Sequence, residues 1–293
     1  MNILSISQIR HNRSRHSASR GLALLPVLLL GLLFNACAMA ATPTYTFAVT
    51  PQFEQRKLIA IWMPIVAEVE KRTGLSLKLT SMMSIPEFEK QLAKSTFDFV
   101  YCNPYNIIKS VPDPGYIPLV RDGSPMRGIV LVRKDSAYKK LSDLEHKTVA
   151  FPSPNAIGAS LLVRADLARL HHVTINPMYV KTHSSVYLHV VNGLADAGGG
   201  VETTLQEQDA AIRDALRILY TTREFPSLPV AANPRVPKAD REKVRQALLE
   251  LSATPEGKEM FARVPMKQVV PTSPDDYAPM RAWGLESFWI DKY

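Results

Sequence analysis

The chain alternates between two hydrophobic periodicities, and this alternation constrains its fold more than any other feature. "TYTFAVT" (Thr44 to Thr50) has the two-residue period of a strand and stops at Pro51. "RKLIAIWMPIVAEVEKRTG" (Arg56 to Gly74) places apolar residues at helical spacing and ends on Gly74, a residue suited to a left-handed helix cap. "LSLKLTSM" alternates again. "SIPEFEKQLAKS" opens on Ser84, with Pro86 and Glu87 behind it in the pattern of a capping box. "FDFVYCNPYNII" (Phe97 to Ile108) begins as a strand and breaks at Asn103-Pro104. The order β-α-β-α-β predicts a mostly parallel sheet flanked by helices.

The pattern then repeats. "GIVLVRKD" predicts a strand, and "KTVAFPSPNAIGASLLVRADLARL" a strand, a loop and a helix. "INPMYVKTHSSVYLHVVNGLADAGGG" reads as strand, loop, helix, strand, and "DALRILYTT" as a helix end and a strand. An extended "LPVAANPRVP" leads to one helix over "KADREKVRQALLELSATPEGKEM". Trp283, Phe288, Trp289 and Tyr293 give the C-terminal tail enough aromatic surface to dock on the body. The expected architecture is α/β, with two lobes and a cleft between them. Residues 41–127 with 229–293 form the first lobe, and residues 128–228 the second.

The first forty residues have a different character. Arg10, Arg13, Arg15 and Arg20 precede an apolar run from Gly21 to Phe34, and "NACAMAA" follows. That order predicts a secretory signal peptide cleaved after Ala40, and hence an exported protein. An uncleaved N-terminal anchor and lipidation at Cys37 are the competing readings. Without the leader, 35 − 4 = 31 basic residues face 27 acidic ones, a net charge of +4, so the basic balance is no nucleic-acid footprint. Cys102 is then the sole cysteine, and an ordinary core, not a disulfide, must hold the fold.

In open α/β sheets ligands sit beyond the carboxyl ends of strands, near helix starts. Thr50 and Gln52 follow the first strand; Tyr101, Asn103 and Tyr105 follow the third; Ser153, Asn155 and Ser160 follow the first strand-to-helix turn of the second lobe. His183, Ser184 and Ser185 open a later helix, with Ser184 or Ser185 as candidate N-cap, and Glu202 follows the strand after it. Hydroxyls, amides and helix-start N–H groups suit a small oxyanion. "DAGGGVE" has neither nucleotide-loop spacing, and its glycines fit close backbone approach instead. No nucleophile is paired with a base, so no enzyme is expected. His171, His172, His183 and His189 lack the spacing of a shared metal site, and no cofactor is expected.

Taken in order, "YTFAVTPQF", "FDFVYCNPYNI", "RGIVLVRKDS", "LSDLEHKTVAFPSPNAIGAS", "THSSVYLHVVNGLADAGGGVE" and "FPSLPVAANPRVPKADREKVRQALLEL" resemble the type II periplasmic solute-binding proteins of the phosphate, phosphite and phosphonate group. The resemblance runs from Thr44 to the helix near Leu251. It implies two lobes closing on an oxyanion by hinge motion, and delivery to an ABC permease in the inner membrane, with the protein acting as a monomer. It also implies ligand contact by Tyr101 or Tyr105 and by His183, with Glu202 placed to take an amino group. The chain departs from the family where a Ser/Thr-rich turn commonly cradles the oxyanion. Here the turn reads Ser153-Pro154-Asn155-Ala156-Ile157-Gly158, and Pro154 offers no N–H. The alternative reading is a ligand-binding accessory module for a membrane sensor kinase.

Overall fold

A computed structural model describes residues 43–109, 115–264 and 266–291. The expected leader, with Cys37 and the cleavage point after Ala40, lies outside the described residues, as does Tyr293.

The first half of the chain lays down β1 (Thr44–Val49), α1 (Gln55–Thr73), β2 (Ser76–Ser81), α2 (Ile85–Ala93), β3 (Phe99–Tyr101), α3 (Pro104–Lys109) and β4 (Ile117–Asp122). Gly74 ends α1 at φ 68° and returns its N–H to the Glu70 carbonyl at 2.8 Å. Ser84 caps α2 by accepting the Glu87 N–H at 3.3 Å, and the Glu87 carboxylate reaches the N–H of Met83, one residue short of a full capping box. Burying Leu58, Ile61, Trp62, Ile65, Val66 and Val69 puts one face of α1 on the sheet. There Trp62 packs 5.6 Å from Phe47 and 4.9 Å from Tyr101, centroid to centroid.

The chain then crosses to β5 (Met126–Arg133) and builds β6 (Thr148–Phe151), a π-helical turn (Ile157–Leu161) continuing into α4 (Leu162–Arg169), β7 (Asn176–Tyr179), α5 (His183–Val191), β8 (Ala197–Val201), α6 (Glu202–Gln206), α7 (Ala210–Asp214) and β9 (Leu216–Phe225). It returns through β10 (Val230–Ala232), α8 (Lys238–Ala253), α9 (Pro255–Ala262) and β11 (Val269–Pro271), and ends in short 3₁₀ turns. The single C-terminal helix expected from the sequence is two. Thr254 is extended, its Oγ1 accepts the Gly257 N–H at 3.0 Å, and Pro255 starts α9, because proline cannot continue a helix.

The first sheet runs β11-β4-β10-β3-β1-β2 and the second β7-β6-β8-β5-β9. Both are mixed. β1 lies parallel to β2 and β3, and β6 parallel to β7 and β8, as the βαβ pattern requires. β10 returns from the second sheet and inserts antiparallel between β3 and β4, and β5 lies antiparallel to both β8 and β9. These returning strands make the sheets mixed where the sequence pattern led us to expect mostly parallel ones. The two crossings, Asp122 to Met126 and Phe225 to Val230, join the sheets. The buried Asp122 carboxylate pins the first crossing by accepting N–H bonds from Ser124 and Lys267, each at 2.9 Å.

Glycines set the start of α4 directly on the second sheet. A Cβ on Gly199 would sit 1.9 Å from the Ala159 carbonyl oxygen, and one on Gly128 would sit 2.1 Å from that of Gly158. The "DAGGGVE" run therefore serves close backbone approach, and it brings the turn at 157–159 to the mouth between the sheets.

Candidate functional site

A small cavity lies between the two sheets. The first lobe contributes Thr50 and Gln52 after β1, Ile85, Phe88 and Glu89 on α2, and Asn103 and Asn106 around the start of α3. The second contributes Met126, the turn at 156–159, His183 at the start of α5, and Val201 at the end of β8; Phe225 and Leu228 come from the return crossing. The cavity volume is about 30 Å³, on a scale where one water needs roughly 10–15 Å³. Anything beyond a few heavy atoms needs the lobes to part.

The lobes touch directly around it. Asn103 Nδ2 donates to the Asn155 carbonyl at 2.6 Å, and Asn103 Oδ1 is occupied by the Tyr105 N–H at 2.9 Å. The His183 N–H donates to the Gln52 carbonyl at 3.2 Å, and the Ile85 N–H to the Lys181 carbonyl at 3.3 Å. Lys57 reaches the Glu207 carbonyl.

The polar groups of the cavity are uncharged at neutral pH. Burial drives the His183 imidazole from 6.5 down to about 4, so it is neutral, and its Nδ1 lies 3.2 Å from Thr204 Oγ1. Burial lifts the Glu89 carboxyl from 4.5 to about 8, against the pull of an Asn155 hydrogen bond and the Lys109 charge, so it holds its proton at pH 7. No Lys or Arg is among the described residues that line the cavity. N–H donors dominate. The Asn106 Nδ2 is buried without a hydrogen-bond partner. The N–H groups of Ile157, Gly158 and Ala159 open a helical segment and have no preceding turn to bond. The first bonds of that segment run from Ser160 at 2.8 Å and Leu161 at 2.9 Å to the Ala156 carbonyl. The positive end of the helix dipole is therefore at the cavity wall.

Four residues expected from the sequence line this cavity: Thr50, Gln52, Asn103 and His183. The others do not. Tyr101 is buried in the first lobe against Trp62. Tyr105 turns to the C-terminal tail, where its hydroxyl donates to Glu286 Oε1 at 2.8 Å and its ring lies 5.5 Å from Trp289. Asn155 also faces the tail, and Ser153 is fully buried with its Oγ unbonded. Ser184 and Ser185 are half-buried and neither is the N-cap. Thr182 is extended and its Oγ1 accepts the Ser185 N–H at 3.1 Å, so the helix starts at His183, earlier than a cap at either serine would place it. Glu202 is exposed at the start of α6.

Sequence reasoning missed Glu89, Asn106 and the apolar wall. Glu89 did leave a trace: it stands four residues after Ile85 and beside Phe88, on the stripe that α2 buries. Asn106 lies one helical turn after Asn103.

Residues 47–277 match the family described as the ABC transporter, phosphonate, periplasmic substrate-binding protein. The chain belongs to that family. Its fold is similar to that of a binding-protein component of an ABC phosphonate transporter from Pseudomonas aeruginosa, with a TM-score of 0.75 and 16% identity over 84% of this chain and 86% of that one. It is also similar to PhnD1 from Prochlorococcus marinus, solved in complex with methylphosphonate, with a TM-score of 0.76 and 13% identity over 84% of this chain and 99% of that one. The ligand-binding core of a glutamate receptor from Nostoc punctiforme shares the fold more loosely, at a TM-score of 0.55 and 18% identity over 75% and 98% of the two chains. This phosphonate-transporter family is one of substrate-binding transport proteins. Among the described residues no helix is long and apolar enough to cross a membrane.

Proposed function

We propose that this protein captures a small phosphorus oxyanion of methylphosphonate size in the periplasm, without turning it over, and presents it as a monomer to an ABC permease. The observation that carries this reading is the uncharged, donor-rich cavity between the two sheets. Its N–H groups at 157–159 and the unbonded Asn106 amide suit an anion that offers only acceptors. Backbone N–H groups of the turn compensate for the hydroxyls missing from Ser153 to Gly158. Thr50 and Gln52 supply polar contacts from the first lobe, and His183 from the second. Opening about the two crossings admits the ligand, and closure surrounds it.

A thermal-shift screen of the mature protein tests this. Methylphosphonate, phosphite, phosphate, sulfate and small carboxylates form the panel. A ligand at a hundred times its Kd stabilises the fold by about 2.7 kcal/mol, a visible shift. The expected result is a shift with at least one phosphorus oxyanion and none with the carboxylates. Silence across the phosphorus compounds overturns the reading.

A further inference from the structure

Glu89 stands out in a cavity otherwise built to receive an anion. It is the sole carboxyl among the described residues of the wall, and its Oε1 is sealed from solvent. It comes from the first lobe, opposite the helix start at 157–159, and it meets Asn155 of the second lobe. An ionised carboxylate there would face the bound oxyanion at close range with no Lys or Arg on the wall to offset it. A protonated one offers an O–H donor to an anion that accepts. Resting on the oxyanion reading above, we propose that Glu89 is a specificity-determining residue that binds the anion as a carboxylic acid, so that each anion is held together with one proton.

The electrostatic surroundings agree with this role. Lys109, on α3, is the charged group that acts on Glu89 from outside the cavity, and its ammonium is already paired with Asp291 at 2.8 Å. Glu286, on the tail, is held by the Tyr105 hydroxyl. His183, on α5 across the cavity, is neutral. Lys90 and Glu87, on the same helix as Glu89, are exposed. Burial outweighs the Asn155 hydrogen bond and the Lys109 charge and lifts the carboxyl to about 8, and an anion arriving beside it raises it further. The selectivity that follows is for oxyanions that can share a proton with a carboxyl, and against ligands whose cationic group needs an ionised carboxylate.

Calorimetric titration with methylphosphonate tests the proposal. It is run from pH 6 to 9.5, in pairs of buffers with different ionisation heats, on the wild type and Glu89→Gln. The ligand's own ionisation is common to both proteins and cancels in the comparison. At pH 9 the wild type should take up about one proton more per ligand than the variant, by linkage. Above pH 8 its affinity should fall about tenfold per pH unit relative to the variant. An infrared difference spectrum of the wild type at pH 9 should gain a protonated carboxylic-acid band on binding, which checks the proposal without the variant. Equal proton uptake with parallel pH profiles overturns it, as does a wild-type affinity that rises with pH relative to the variant. Absence of methylphosphonate binding at every pH overturns the oxyanion reading itself, and this inference with it.

Discussion

Asn155 and Ile290 hold each other by two hydrogen bonds: Asn155 Nδ2 donates to the Ile290 carbonyl at 2.8 Å, and the Ile290 N–H donates to Asn155 Oδ1 at 3.0 Å. The backbone carbonyl of the same asparagine accepts from Asn103 across the cleft. One residue thus joins the second lobe, the first lobe and the C-terminal tail. The tail grips both lobes elsewhere too. It meets the first through Tyr105–Glu286 and Lys109–Asp291, each at 2.8 Å, and the second through Arg164, which donates to the Phe288 carbonyl at 2.7 Å. Lys109 also lies 4.0 Å over the Trp289 ring, and Arg169 4.8 Å over that of Phe288.

Asn155→Ala removes the paired bonds to Ile290 and frees that end of the tail. It should destabilise the protein by about 1–3 kcal/mol in urea unfolding. The ligand-free variant should also show a larger radius of gyration by X-ray scattering, because the second lobe has lost a tie to the tail that also grips the first. An unchanged radius with unchanged stability would mean that the tail rests on the lobes without holding them.

Tyr105→Phe separates packing from ligand contact. The ring keeps its place on Trp289 while the hydroxyl loses Glu286, at a cost of about 1 kcal/mol in stability. Methylphosphonate affinity should stay within a factor of two of wild type. A large loss of affinity with normal stability would return Tyr105 to the ligand.

Much of the first lobe is legible in the sequence because its periodicities are local. The β-α-β-α-β order, the Gly74 cap and the Ser84 cap all depend on residues within one helical turn of each other. The mixed sheets are not legible, because β10 pairs with β3 across more than a hundred residues and nothing in "LPVAANP" says which neighbours it takes. The site divides in the same way. Thr50, Gln52, Asn103 and His183 follow from the rule that strand ends line clefts. Tyr101, Tyr105 and Asn155 obey the same rule, yet they are claimed by Trp62, Glu286 and Ile290, partners set by tertiary packing. Glu89 was hidden because charge on a helix usually marks the solvated face.

Gly199→Ala probes the seat of the helix start. The added methyl would meet the Ala159 backbone, which has no rotamer to yield, so the turn at 157–159 must move. Methylphosphonate affinity should drop by about tenfold or more, 1.4 kcal/mol in binding free energy. Calorimetry on the folded variant measures it.

Two buried groups give the stability opposite slopes with pH. His183 falls from 6.5 to about 4 on folding, so between those values the unfolded chain binds more protons. Its contribution is complete above pH 6.5 and is lost as the pH drops toward 4. Glu89 rises from 4.5 to about 8, so the folded protein binds more protons in that interval. Its contribution is complete below pH 4.5 and is lost as the pH rises through 8. The Tm of the ligand-free protein should therefore decline on both sides. Glu89→Gln should lift the alkaline arm and leave the acid arm in place; a Tm profile that the substitution leaves unchanged would contradict the burial of that carboxyl.

The central claim is that groups from both lobes hold a phosphorus oxyanion in an uncharged cavity. Its most direct measurement is an equilibrium titration of methylphosphonate into wild type, Asn106→Ala and His183→Ala at pH 7. The account predicts saturable one-to-one binding that each substitution weakens by about tenfold or more, since each removes a polar group from the cavity wall. Wild-type affinity retained in both folded variants, or no binding of any phosphorus oxyanion by the wild type, would contradict it.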